Sequence, residues 1–155
     1  MKIRHPFSLA VLLLSVAYAA DPPKLKEGLW SVHSESTGNP GNVKNTADFN
    51  LCRDHAYDDL VRTRDKSIRG CTVGSDNFAD GKLTTEIHCN LMGVITDSKT
   101  VTSYQGDTAT HSETEATFEP AKGGLTDQTT ITDQKYIGAC PAGMKPGTRS
   151  RVAPK

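Results

Sequence analysis

The chain has 155 residues, with 18 Lys and Arg balancing 18 Asp and Glu. Without Lys2 and Arg4, which stand in the N-terminal segment discussed next, the net charge is about −2, a balance that excludes the basic footprint of a nucleic-acid-binding protein. A chain of this length has room for one domain with a modest core and no room for a second.

The opening residues, MKIRHPFSLAVLLLSVAYAADPP, place Lys2 and Arg4 before an apolar run from Phe7 to Val16 and then the small-residue pattern Ala17-Tyr18-Ala19. This order of basic, apolar and A-x-A segments predicts a secretory signal peptide over residues 1–19 with cleavage after Ala19. The run is far shorter than the roughly 20 apolar residues of a transmembrane helix, so the mature chain is expected not to span a membrane. The expected location is the periplasm or the cell exterior.

Beyond the signal, threonine is abundant and period-two alternation recurs, which signals strands. In GLWSVHSES, Trp30 and Val32 fall on one face and Ser31 and His33 on the other. In VKNTADFNLC, Ala47, Phe49 and Leu51 alternate with polar residues. The period then changes. From Asp54 to Arg64, Ala56, Tyr57, Leu60 and Val61 form a helical stripe, Asp54 is an N-cap by type and position, and Arg62 and Arg64 suit the negative end of the helix dipole. This is the single helix expected.

Asp80-Gly81 marks a two-residue hairpin turn between alternating strands. A calcium loop beginning at Asp76 is excluded by Phe78 and Ile87 at positions that need oxygen ligands. Strands follow at VITDSKTVTSYQGD, TATHSETEATFEP and LTDQTTITDQKYIGAC, divided by Gln105-Gly106-Asp107 and by Pro120 to Gly124. The expected fold is mainly β: an antiparallel meander forming a curled sheet or small barrel, with one short helix and two disulfides. Polar residues on both faces of most strands argue against a transmembrane barrel. Residues 20–140 form a single β-rich domain in this reading. Residues 141–155 carry Lys145, Arg149, Arg151 and Lys155 without an acid and are expected to be a flexible basic tail, dispensable for folding.

The four cysteines, Cys52, Cys71, Cys89 and Cys140, are an even set in an exported segment, which implies two structural disulfides and three possible pairings. Pairing Cys52 with Cys71 closes a loop around the helix, and pairing Cys89 with Cys140 joins a middle strand to the last. Cys71 with Cys89 is the rival pairing, since the two flank one hairpin. Counting outward from Asp80-Gly81 puts them one step out of line and on opposite faces, unless a bulge restores the match. The first assignment is therefore the expectation.

Zinc ligation by Cys52 and His55, or by His88 and Cys89, lacks the paired spacings of a zinc site. Parity leaves no cysteine free to serve as a nucleophile. His33, His88 and His111 are expected at solvated strand positions. His111-x-Glu113 lacks the second element of a zinc deaminase, and no G-x-S-x-G, phosphate-binding glycine loop or H-E-x-x-H is present. No cofactor is expected.

The order EGLWSV after the signal, CRDHA opening the helix, SYQGD at a turn and a terminal KYIGAC resembles the bacterial family of domain of unknown function 3617, over Lys24 to Cys140. The chain departs from that pattern at Glu27, at Ser31 and over Arg53-Asp54-His55. The resemblance implies a small exported bacterial β-protein and brings no activity with it. The functional expectation is a non-enzymatic envelope module, a monomer, that binds a protein, a glycan or a small ligand. The alternatives are a small hydrolase or metal-dependent enzyme using His55, His88 or His111, and a lipocalin-like carrier.

Overall fold

The computed structural model describes residues 21–152, apart from the side chains of residues 65 and 66, so the expected signal peptide lies outside the described residues. In chain order the elements are β1 (Gly28–Asn39), β2 (Val43–Arg53), α1 (His55–Ser67), β3 (Cys71–Ala79), β4 (Lys82–Leu91), β5 (Val94–Gln105), β6 (Ala109–Lys122), β7 (Leu125–Gly138) and β8 (Arg149–Arg151). All eight strands join one sheet in the order β3-β4-β5-β6-β7-β1-β2-β8, and every pairing is antiparallel.

Local chemistry accounts for the punctuation. Asp54 is the N-cap of α1, its carboxylate accepting from the Tyr57 backbone N–H at 2.7 Å. Asp80 and Gly81 both have positive φ, 51° and 73°, the conformation that a tight two-residue hairpin turn requires.

Register assigns the faces. Trp30 faces Leu51 on one side and Tyr136 on the other, and Val32 faces Phe49 and Gln134. The same face continues through Thr110 to Tyr104 and then Leu83 and Phe78 by way of the neighbouring rows. It holds the small apolar core: Trp30 is fully buried, and Val32 and Leu51 are nearly so. Leu25, in the arm before β1, is also buried. The Trp30 indole N–H donates to the Lys26 carbonyl at 2.9 Å, and Tyr136 meets the ring edge to face at 6.1 Å.

Below that core the face turns to hydroxyls rather than hydrocarbon. Ser34 pairs with Thr132 at 3.1 Å, Ser36 with Thr130 at 3.0 Å, Thr100 with Thr114 at 2.9 Å and Thr102 with Ser112 at 2.9 Å. Each hydroxyl pair satisfies polar atoms that would otherwise be costly on a half-buried face.

The sheet curls but does not close. Residues of β2 and of β3, next-to-last and first in the strand order, line one cavity, so the face they share is concave, while β3 and β8 remain unpaired edges. Helix α1 spans the gap between them. Arg53 at the end of β2 grips Asp58 at 2.9 Å, and Arg62 reaches Asp76 of β3 at 3.7 Å. Of the two architectures expected from the sequence, the curled sheet is the one observed.

Both disulfide pairings differ from the expectation. Cys52 bonds Cys140, and Cys71 bonds Cys89; no cysteine is free. The register that excluded the second bond is corrected by a bulge at Gly74, between Val73 and Ser75, which brings Cys71 opposite Cys89. With that pair formed, Cys52 and Cys140 are left to join, at the same end of neighbouring strands β2, β1 and β7.

Residues 141–152 also depart from the flexible tail expected. Arg149–Arg151 pairs with Phe49 to Leu51 as β8, the Gly147 N–H donates to the Cys52 carbonyl at 2.8 Å, and the Cys52 N–H donates to the Thr148 carbonyl at 3.2 Å. The Arg149 guanidinium lies over the Phe49 ring at 4.5 Å. A sheet edge with free backbone donors and acceptors orders the segment that composition alone marks as loose. Among the described residues no helix is long and apolar enough to cross a membrane.

Candidate functional site

The main concavity lies between α1, the arm at residues 21–25 and the upper part of the concave face, with a volume of about 610 Å³. Alternation supplies its floor: Leu83, Thr85 and Ile87 are every second residue of β4, and Val73 and Asp76 face it from β3. Leu51 and Arg53 come from β2, Tyr104 from β5 and Gln134 from β7. The helix adds Tyr57, Asp58, Val61 and Arg62 as a roof, and Leu25 closes one side. A volume of several hundred cubic ångströms with mixed lining fits a small organic ligand.

Arg53 with Asp58 and Arg62 with Asp76 are tied in pairs, and Asp21, Lys24 and Asp59 also line the cavity. Arg53 donates through Nε to Asp58 and through Nη1 to Gln134 Oε1 at 2.8 Å, and its guanidinium stacks on Trp30 at 5.1 Å. Its side chain is 13% exposed, so this network is largely screened from water. Asp76 receives the Thr85 hydroxyl at 3.5 Å in addition to Arg62. Tyr104 packs edge to face on Phe78 at 5.8 Å. Burial pushes its phenol above the ordinary tyrosine range, with Arg62 and Arg53 pulling against the shift, so the group stays a protonated donor at neutral pH.

The histidines occupy a different place. His33, His88 and His111 project from the opposite, convex face, each half exposed beside a carboxylate: His33 Nδ1 at 2.7 Å from Asp48, His88 Nδ1 at 2.6 Å from Asp97 and His111 Nδ1 at 2.8 Å from Asp133. Hydrogen bonds to Asp48 and then to Glu35 raise the His33 pKa above its ordinary value. His55 alone adjoins the cavity, where its Nε2 donates to the Leu25 carbonyl at 3.0 Å. Ser103 is the cross-strand neighbour of His111, and Asp133 lies on the other side, so the three residue types of a hydrolytic triad share one row. The Ser103 hydroxyl donates to the His111 backbone carbonyl at 3.3 Å rather than to its ring, which leaves the nucleophile-to-base bond of a triad unmade. Among the described residues no group of three or more His, Cys, Asp or Glu is placed to hold a metal.

Sequence reasoning missed the cavity residues because no local spacing joins them. Alternation puts Leu83, Thr85 and Ile87 on one face, and the helical stripe contains Val61. That Arg53, Tyr104 and Gln134 converge on them depends on sheet order and curl. The four cysteines, singled out from the sequence, bracket this site: Cys52 and Cys71 flank the helix that roofs it, and each anchors that helix to another part of the sheet.

No match is found among curated proteins or among solved structures. The sequence does match the family described as "Protein of unknown function (DUF3617)" over residues 25–140, a span that runs from the buried Leu25 to the last cysteine and takes in β1 to β7, the helix and both disulfides. The chain belongs to the DUF3617 family.

Proposed function

We propose that this chain is an exported, non-enzymatic binding module of the bacterial envelope, which holds a small ligand in the cavity between α1 and the concave face of the sheet. Export rests on the signal-like segment at residues 1–19, and two disulfides suit an oxidising compartment. The observation that carries the binding reading is the cavity itself: about 610 Å³, walled by Leu25, Leu51, Val61, Val73, Leu83 and Ile87, with polar groups gathered at Arg53, Tyr104 and Gln134. A space roofed by one helix and open on one side admits a ligand without rearranging the sheet.

The test uses the oxidised mature protein and the fluorescent apolar probe N-phenylnaphthylamine. Saturable binding at one site, abolished by the cavity-filling substitution Leu83→Trp in a protein with unchanged far-ultraviolet circular dichroism, is the expected result. Absence of saturable binding, or equal binding by the filled variant, overturns the proposal.

A further inference from the structure

We infer that the tip where the β4–β5 turn meets the segment leaving α1 is a contact for an anionic lipid surface, with Met92, Leu91 and Ile68 entering the interface and Arg69 seated among the lipid phosphates. The inference is independent of the cavity and adds a partner to the envelope module proposed above.

The residue at the turn is the starting point. Leu91 pairs with Val94, so Met92 and Gly93 are the two-residue loop of the hairpin, and both have positive φ, 52° and 82°. Such a loop favours Asn, Asp or Gly at its first position, because a bulky side chain is strained in that backbone conformation. The other non-glycine residues with positive φ among the described residues keep to that preference: they are Asn42 and Asp80. Met92 does not. It is fully exposed, so no packing within this chain offsets the strain. A strained residue with no internal compensation points to a use outside the chain.

Its surroundings make the tip apolar. The Asn90 N–H donates to the Gly70 carbonyl at 2.7 Å, and a Cβ added at Gly70 would lie 3.2 Å from Leu91 Cδ2, so the turn and the segment leaving α1 touch. Leu91 is 40% exposed, and Ile68, two residues before Gly70, is 38% exposed. None of the three aliphatic side chains lines the main cavity. A fluid interface moulds itself around a protruding apolar tip, which needs no matching pocket there.

Charge selects the kind of interface. Arg69 is exposed between Ile68 and Gly70, and no Asp or Glu occurs from Lys66 to Ser75 or from Ile87 to Thr96. Among the acids that bound these stretches, Asp76 is bonded to Arg62, Glu86 to Lys99 and Asp97 to His88. Glu119 lies two strands from Asn90 in the same row, with Lys122 farther along its strand. A guanidinium next to apolar side chains can hold a phosphate while its stem lies along the acyl boundary. One such cation and three aliphatic side chains make a shallow, reversible attachment rather than a lasting anchor.

The experiment sediments the oxidised mature protein, free of the apolar run at residues 7–16, with vesicles of phosphatidylglycerol and phosphatidylethanolamine and, separately, of phosphatidylcholine alone. Saturable sedimentation with the anionic vesicles is expected, severalfold weaker with phosphatidylcholine and at high salt. Met92→Asn relieves the turn and removes the apolar tip, so it should weaken vesicle affinity about tenfold while the unfolding midpoint stays level or rises. Arg69→Gln should weaken affinity for the anionic vesicles severalfold. Absence of binding to anionic vesicles, equal binding to phosphatidylcholine, or unchanged affinity in either variant overturns the inference. A lowered midpoint in Met92→Asn overturns it as well, by showing that contacts within this chain hold Met92. None of these results bears on the cavity.

Discussion

Cys71 stands directly opposite Cys89 across the β3–β4 hairpin and is bonded to it, although Cys71 lies nine residues before Asp80 and Cys89 eight after Gly81. The extra residue is Gly74, which takes no partner on β4. Deleting Gly74 removes the bulge and leaves Cys71 eight residues before Asp80, in regular register with Cys89. The Cys71–Cys89 bond should therefore still form, and unfolded protein that has never been reduced should titrate no free thiol, as in the wild type; two free thiols would show that the bulge itself is needed for the pairing.

The two disulfides should differ in worth. Sequence separations of 18 and 88 predict, from chain entropy, losses of about 3 kcal/mol for Cys71→Ala with Cys89→Ala and of 4–5 kcal/mol for Cys52→Ala with Cys140→Ala. Urea unfolding of the two double variants checks the order, and the reverse order would place the main constraint in the hairpin.

Removing residues 141–155 should destabilise the body rather than leave it unchanged. The deletion takes away β8, the two backbone bonds to Cys52 and the contact of Arg149 with Phe49, a loss of about 2–4 kcal/mol. Gly147→Ala is the subtler probe: φ is +84° and an added Cβ would lie 2.9 Å from the Tyr57 ring. It should lower the unfolding midpoint in the same direction, measured by circular dichroism.

Trp30 is the single tryptophan and is fully buried. Trp30→Phe gives up ring volume and the bond to the Lys26 carbonyl, at a cost of about 2–4 kcal/mol. Urea unfolding followed by circular dichroism measures it. A smaller loss would mean that the arm bearing Lys26 relaxes to refill the space.

His33 sets a pH dependence of definite sign. Its pKa is raised in the folded protein from 6.5, first by the bond to Asp48 and then by that to Glu35. A group whose folded pKa is raised contributes stability that is fully present below the unfolded value, here 6.5, and lost as pH rises through the folded value. His33→Gln should therefore lower stability in mildly acidic solution and leave it nearly unchanged well above neutrality. An NMR titration of the His33 ring in wild-type protein checks the direction, and a midpoint at or below 6.5 would contradict it.

Much of this architecture was legible in the sequence wherever a few adjacent residues decide the outcome. Asp54 caps α1 because its carboxylate reaches an amide three residues on, and Asp80-Gly81 turns because both residues tolerate positive φ. Alternation placed Trp30 and Leu51 inside and His33 outside, since the strand period belongs to the backbone itself. Family membership likewise rested on short ordered motifs. The cysteine pairing, the docking of β8 and the cavity were decided only by tertiary structure. One bulged glycine reverses a register count, a free strand edge captures a basic segment, and curl brings Arg53, Tyr104 and Leu83 together from distant parts of the chain. Each outcome depends on which strands become neighbours and how far the sheet bends, and those are properties of the whole packed sheet rather than of any stretch within it.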